Sequence, residues 1–74
     1  MGSYVVLTEP STAGEDFGRQ LAGTPESWAR SDFEKAVCAL KDSGKREFNE
    51  QESFSLGVAD GLKEKGTPIR CPGY

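Results

Sequence analysis

The 74-residue chain has no histidine, a single tryptophan, a single methionine and two cysteines, Cys38 and Cys71. Without histidine, neither cysteine has its commonest activating base, and no Ser–His or Cys–His pair can be assembled. Two cysteines thirty-three positions apart give no zinc spacing, and no run of Asp and Gly forms a calcium loop. A phosphate-cradling glycine loop and a dinucleotide fingerprint are also missing. The adjacent carboxylates Glu15 and Asp16 diverge on a helix, as do those of Asn49–Glu52, so neither makes an acid/base couple. Cys71 stands beside Arg70, an ordinary tail pairing. We therefore expect no enzyme, no metal and no cofactor.

Long apolar runs are missing too, so no segment is expected to cross a membrane and no secretory h-region is visible. "MGSYVV" has Val6 where myristoylation needs Ser or Thr. These absences point to the cytoplasm, where Cys38 and Cys71 would stay as free thiols. A basic stripe is the last absence. Nine Lys and Arg face twelve Asp and Glu, for a net charge of −3. The first twenty-three residues hold Glu9, Glu15 and Asp16 against Arg19 alone. Phosphate backbones need clustered cations, so nucleic acid is disfavoured as a partner.

What is present suggests one small domain over 1–74, marginal in stability by its size. "SYVVLT" (3–8) is β-branched and aromatic, closed by Pro10, and reads as a strand. A lone strand needs a partner. The options are "KREF" (45–48), "PIRC" (68–71) or the same strand of a second copy. Thr12 and Glu15 have capping-box spacing, which starts a helix over about 13–22 that Gly23 stops. The strongest helical pattern runs over 25–43, with Trp28, Phe33, Val37 and Leu40 on its apolar arc and Cys38 pointing away from it. Asp32 falls inside that arc and "SDFE" (31–34) offers a second start, so a break is expected near Arg30–Ser31. A final helix runs over about 50–65, capped by Asn49 with Glu52 and stopped by Gly66. Residues 67–74 make an irregular arm or an edge strand. The expected fold is α+β, mostly helical, with one N-terminal strand and three helices.

"SFSLGVADGLKEKG" (53–66) carries Gly57 and Gly61 inside that last helix, at a cost of about 2 kcal/mol in helix propensity. Both lie on the rim of the Phe54–Val58–Leu62 face. They read as a packing device that lets another element, expected to be the Trp28–Leu40 helix, come close. "EDFGRQLAG" and "ESFSLGVADG" share a Phe/Gly rhythm that falls short of a repeat. Leu56 lies opposite this face and is a candidate for docking a partner, as are Ile69 and Tyr74 in the tail and an acidic surface around Glu15 and Asp16.

Size, acidity and the missing catalytic groups favour a small protein that binds another protein. An inhibitor, adaptor or antitoxin-like regulator, of the kind phages and mobile elements encode, fits this profile as monomer or homodimer. Its acidic surface would suit a basic target. The order strand–helix–helix is also that of ribbon–helix–helix repressors, which dimerise through the strand, but the strand offers no Arg or Lys to read bases. A helix-turn-helix around "KDSGKREF" gains Lys45 and Arg46, yet its second helix begins with Glu50 and Glu52, which phosphate would repel. A small structural subunit of a larger assembly is the third reading.

Overall fold

The structure, a computed structural model, describes residues 5–24 and 27–71, with the side chains of residues 27–29 outside the described set. Its elements are α1 (Thr8–Ala22), α2 (Ser27–Ser43) and α3 (Glu50–Glu64). The expected α+β class is overturned, because the described residues contain three helices and no strand. Val5 makes one isolated parallel bridge with Glu47, its N–H donating to Arg46 O at 2.7 Å and its carbonyl accepting from Phe48 N–H at 3.2 Å. "KREF" is thus the segment's partner, but no ladder can grow. Three residues after Val5 the chain is already helical, and two after Glu47 it reaches the cap of α3. Residues 3 and 4 of the expected strand lie outside the described residues.

Helix α1 begins at Thr8, well before the expected 13, and leaves the Thr12–Glu15 capping box unused. Pro10 does not end a strand. It sits in the first helical turn, where its missing N–H would have had no intrahelical partner anyway. The N-cap residue Leu7 has no capping side chain. Its N–H instead donates to Ser53 Oγ at 3.0 Å, which ties the start of α1 to the fully buried Ser53 of α3.

Helix α2 runs unbroken through Arg30–Ser31, which corrects the expected break. Asp32 is comfortable in a continuous helix because it is exposed. The buried side of α2 is narrower than the apolar arc suggested. Val37 is fully buried, Arg30, Phe33, Cys38 and Leu40 are half-buried, and Ala36 and Ala39 are exposed.

Helix α3 starts as expected. Asn49 Oδ1 accepts from Glu52 N–H at 2.8 Å while Glu52 Oε1 accepts from Asn49 N–H at 3.0 Å, both halves of a capping box. Lys45 Nζ donates to the same carboxylate at 2.8 Å. Gly66, at φ +82°, ends the helix in the left-handed conformation, with Gly66 N–H on Lys63 O and Thr67 N–H on Leu62 O. The Lys45 ammonium, and after it the Asn49 N–H, hold the Glu52 carboxyl below its ordinary value of 4.5. A carboxyl lowered on folding contributes stability above its unfolded pKa and loses it as pH falls through the folded one. The first turn of α3 should therefore loosen on acidification below the usual carboxylate range. Protection of the Ser53 and Phe54 amides relative to their intrinsic exchange rates, followed against pH, checks this, and protection that stays constant there would contradict it.

The glycines of α3 do pack an element closely, but that element is α1 and not the Trp28–Leu40 helix. A Cβ on Gly57 would overlap the Ser11 carbonyl oxygen, and one on Gly61 would overlap that of Glu15. Gly14 and Gly18 of α1 answer in kind against the carbonyls of Phe54 and Val58. Pairing rises in step along both chains, from Ser11–Gly57 to Gly18–Gly61, so the helices run parallel with a local two-fold relation. Small residues recur every fourth position on each, Gly14–Gly18–Ala22 and Ser53–Gly57–Gly61. Such a stripe lets two backbones touch, and each glycine aims a Cα hydrogen at a carbonyl, a weak bond of about 0.5–1 kcal/mol.

Around this seam the core is small. Leu21, Val58 and Leu62 are buried, with Phe33, Phe54 and Ile69 packed against them. Phe17, Phe33 and Phe54, one from each helix, meet with ring centroids 5.5 to 6.1 Å apart. Helix α2 packs on α3 far more sparingly than α1 does. Its main fastening is the tail. Arg30 donates to Thr67 Oγ1 at 2.6 Å and to Pro68 O at 3.0 Å, and Cys38 is bridged to Cys71 with Cα atoms 5.5 Å apart. The expected free thiols are thereby overturned. The turn at Gly66 folds residues 67–71 back along α2, and Cys38, beside Val37, faces that arm.

Candidate protein-docking surface

Because α1 and α3 run parallel, their N-termini lie side by side, and the chain entering each is joined at the Val5–Glu47 bridge. Helical spacing puts Pro10, Ala13 and Phe17 on one face of α1, next to the glycine face that α3 covers. Nothing in the described residues covers the first part of this face. Leu7, Pro10 and Ala13 line an open groove of about 590 Å³ together with Thr8, Glu9 and Glu50. Val5, Leu7 and Phe17 are the exposed large hydrophobic residues of the described chain, and all belong to α1 or the segment entering it. Leu7 is 44% exposed at a helix cap, where Ser, Asp or Asn would satisfy a backbone donor better.

The charges around the groove are one-sided. Glu9 and Glu50 are its ionisable lining groups, and neither has an ion-pair or hydrogen-bond partner among the described residues. Four other acids of the described residues carry ion pairs. Asp16 and Glu64 share Arg19 at 2.7 and 3.0 Å, Glu34 meets Arg30 at 3.3 Å, and Glu52 holds Lys45. The two helix N-termini account for acids in first turns. They do not account for the apolar Leu7, Pro10 and Ala13 that share the groove with those acids.

The sequence-predicted docking residues fall elsewhere. Leu56 is half-buried and outside the groove. Asp16 is exposed but neutralised by Arg19, while Glu15 is half-buried with its backbone against Gly57 and Gly61. Ile69 packs on the core and, with Lys41 and Arg70, lines a second, smaller groove of about 350 Å³ beside the disulfide. Tyr74 and the Trp28 side chain lie outside the described residues. Val37, Gly57, Val58, Gly61 and Leu62 are buried, while Phe33, Leu40 and Phe54 are half-buried. Sequence reasoning missed Leu7, Pro10 and Ala13 because their stretch read as a strand and its terminator. Their apolar spacing of three is helical, a signal that Pro10 masked.

Among the described residues no three acidic or cysteine side chains converge as a metal site, and no helix is long and apolar enough to cross a membrane. No family model matches the chain, and neither a curated protein nor a solved structure matches it.

Proposed function

We propose that the protein acts by binding another protein, as a small non-catalytic inhibitor, adaptor or antitoxin-like regulator, and that it docks through the groove beside α1. The observation that carries this reading is the placement of Val5, Leu7 and Phe17. The exposed large apolar side chains of the described residues all fall between positions 5 and 17, and one of them, Leu7, lines the groove with Pro10 and Ala13. The non-catalytic part rests on the sequence, which supplies no histidine to activate a nucleophile. The Cys38–Cys71 bridge favours an oxidising compartment over the cytoplasm suggested by the missing h-region.

The DNA-binding alternatives draw less support. The Val5 backbone is occupied by Arg46 and Phe48 of its own chain, and the Lys45 ammonium is held by Glu52 rather than free for phosphate.

Ala13→Lys tests the docking surface. Ala13 is exposed on a helix, so the change should leave the fold intact by circular dichroism while filling the groove. Affinity capture with crosslinking from the source cell should recover a protein with the wild-type chain and lose it with this variant. Capture of the same protein at undiminished yield would remove the groove from the interface.

A further inference from the structure

Resting on that docking surface, we propose that its occupant is a cationic, amphipathic segment of a partner protein. The segment inserts one aliphatic or aromatic side chain between Leu7, Pro10 and Ala13 and places Lys or Arg on either side, within reach of Glu9 and Glu50. The groove is lined by apolar Leu7, Pro10 and Ala13 and by acidic Glu9 and Glu50, with no cation among its described lining residues. A partner that buries apolar surface there without bringing positive charge would bring itself close to two carboxylates that have no ion-pair partner among the described residues. An anionic partner, whether a nucleic acid, an acidic lipid surface or an acidic peptide, would be repelled by the same pair.

Arg19, Arg30 and Lys45 are committed to Asp16, Glu64, Glu34 and Glu52, so these three cations are not available to Glu9 or Glu50. The two acids belong to different helices, Glu9 to α1 and Glu50 to α3. The glycine seam and the Leu7–Ser53 hydrogen bond hold the starts of the two helices together. Preorganisation of this kind limits the entropy lost on docking.

The probe is a blocked synthetic peptide of Leu and Lys in an amphipathic helical pattern, with a Leu/Glu peptide of the same pattern as control. Each is titrated at low salt into the full chain labelled with nitrogen-15. The Leu/Lys peptide should shift the amides of Leu7, Thr8, Glu9, Ala13 and Glu50, and the Leu/Glu peptide should not. Glu9→Gln with Glu50→Gln should weaken binding about fivefold to tenfold and flatten its salt dependence. Leu7→Ser should weaken it without changing charge, since serine suits a helix cap and the fold is spared. Shifts centred elsewhere, equal binding of both peptides, no binding of either, or unchanged affinity in the Gln pair would overturn the proposal. If the Leu/Lys peptide fails while Ala13→Lys still abolishes capture, the cationic occupant falls and the docking surface stands. If Ala13→Lys leaves capture intact, the docking reading itself falls.

Discussion

Alanine at Gly14, Gly18, Gly57 or Gly61 should destabilise the protein by about 3 kcal/mol per site, at the upper end of what overpacking costs. The sign is the diagnostic part. On a free helix, glycine to alanine gains about 1 kcal/mol of helix propensity. Here the added Cβ has no room, because at each site it would overlap a backbone carbonyl of the facing helix. A flexible side chain can swing aside, whereas a carbonyl moves only if its whole helix moves. At Gly61 the new carbon would also stand 3.0 Å from Gly18 Cα, so no rotation within the pair relieves it. Separating α1 from α3 would in turn strain the Leu7–Ser53 hydrogen bond and the Phe17–Phe54 contact. A chain of this length has only about 4–11 kcal/mol to lose, so a double change such as Gly14→Ala with Gly61→Ala should leave it unfolded. Gly23→Ala is the control. It lies just past α1 at φ −94°, its Cβ would meet Gln20 O at an ordinary 3.6 Å, and it should be near neutral. Chemical denaturation of the five single variants measures this. Core alanine variants as stable as the control would mean that the two backbones do not touch.

Reduction of Cys38–Cys71 should cost about 3–4 kcal/mol, the chain-entropy value for a loop of 33 residues. In a domain of this size that corresponds to a fall in Tm of roughly 12–25 °C. The position of the bridge makes the loss consequential. Helix α2 packs sparingly on α3, and Arg30 also ties it to the tail through hydrogen bonds to Thr67 and Pro68. Those bonds involve a half-exposed guanidinium and are worth little alone. With the bridge gone, Ile69 should lift from the Leu21–Val58–Leu62 cluster and α2 should loosen while the α1–α3 pair persists. Thermal melts with and without a dithiol reductant, beside the Cys38→Ser/Cys71→Ser pair, measure the loss. Exchange of the α2 amides should rise before that of α3. An intact mass showing two free thiols in protein isolated under oxidising conditions, or a Tm indifferent to reductant, would contradict the bridge.

Sequence alone carried the features that depend on a few adjacent residues. Asn49 and Glu52 cap α3, Gly23 and Gly66 end α1 and α3, and Val37, Val58 and Leu62 form the core, all as their local patterns imply. It also showed that Gly57 and Gly61 serve close packing, because two glycines in a helix cost too much to be idle. The partner was not legible. Gly14 and Gly18 repeat the same four-residue spacing, and the shared Phe/Gly rhythm of the two segments was its trace. A match between distant stripes, however, becomes an observation only once both helices are known. The start of α1 misled for a related reason. Val5 to Leu7 and Pro10 favour an extended chain locally, and docking against Ser53 and the α3 backbone outweighs that preference. Tertiary structure likewise decided the pairing of Cys38 with Cys71 and which acids stay uncompensated. Both depend on where the chain returns to itself, which only the packing of α2, α3 and the tail determines.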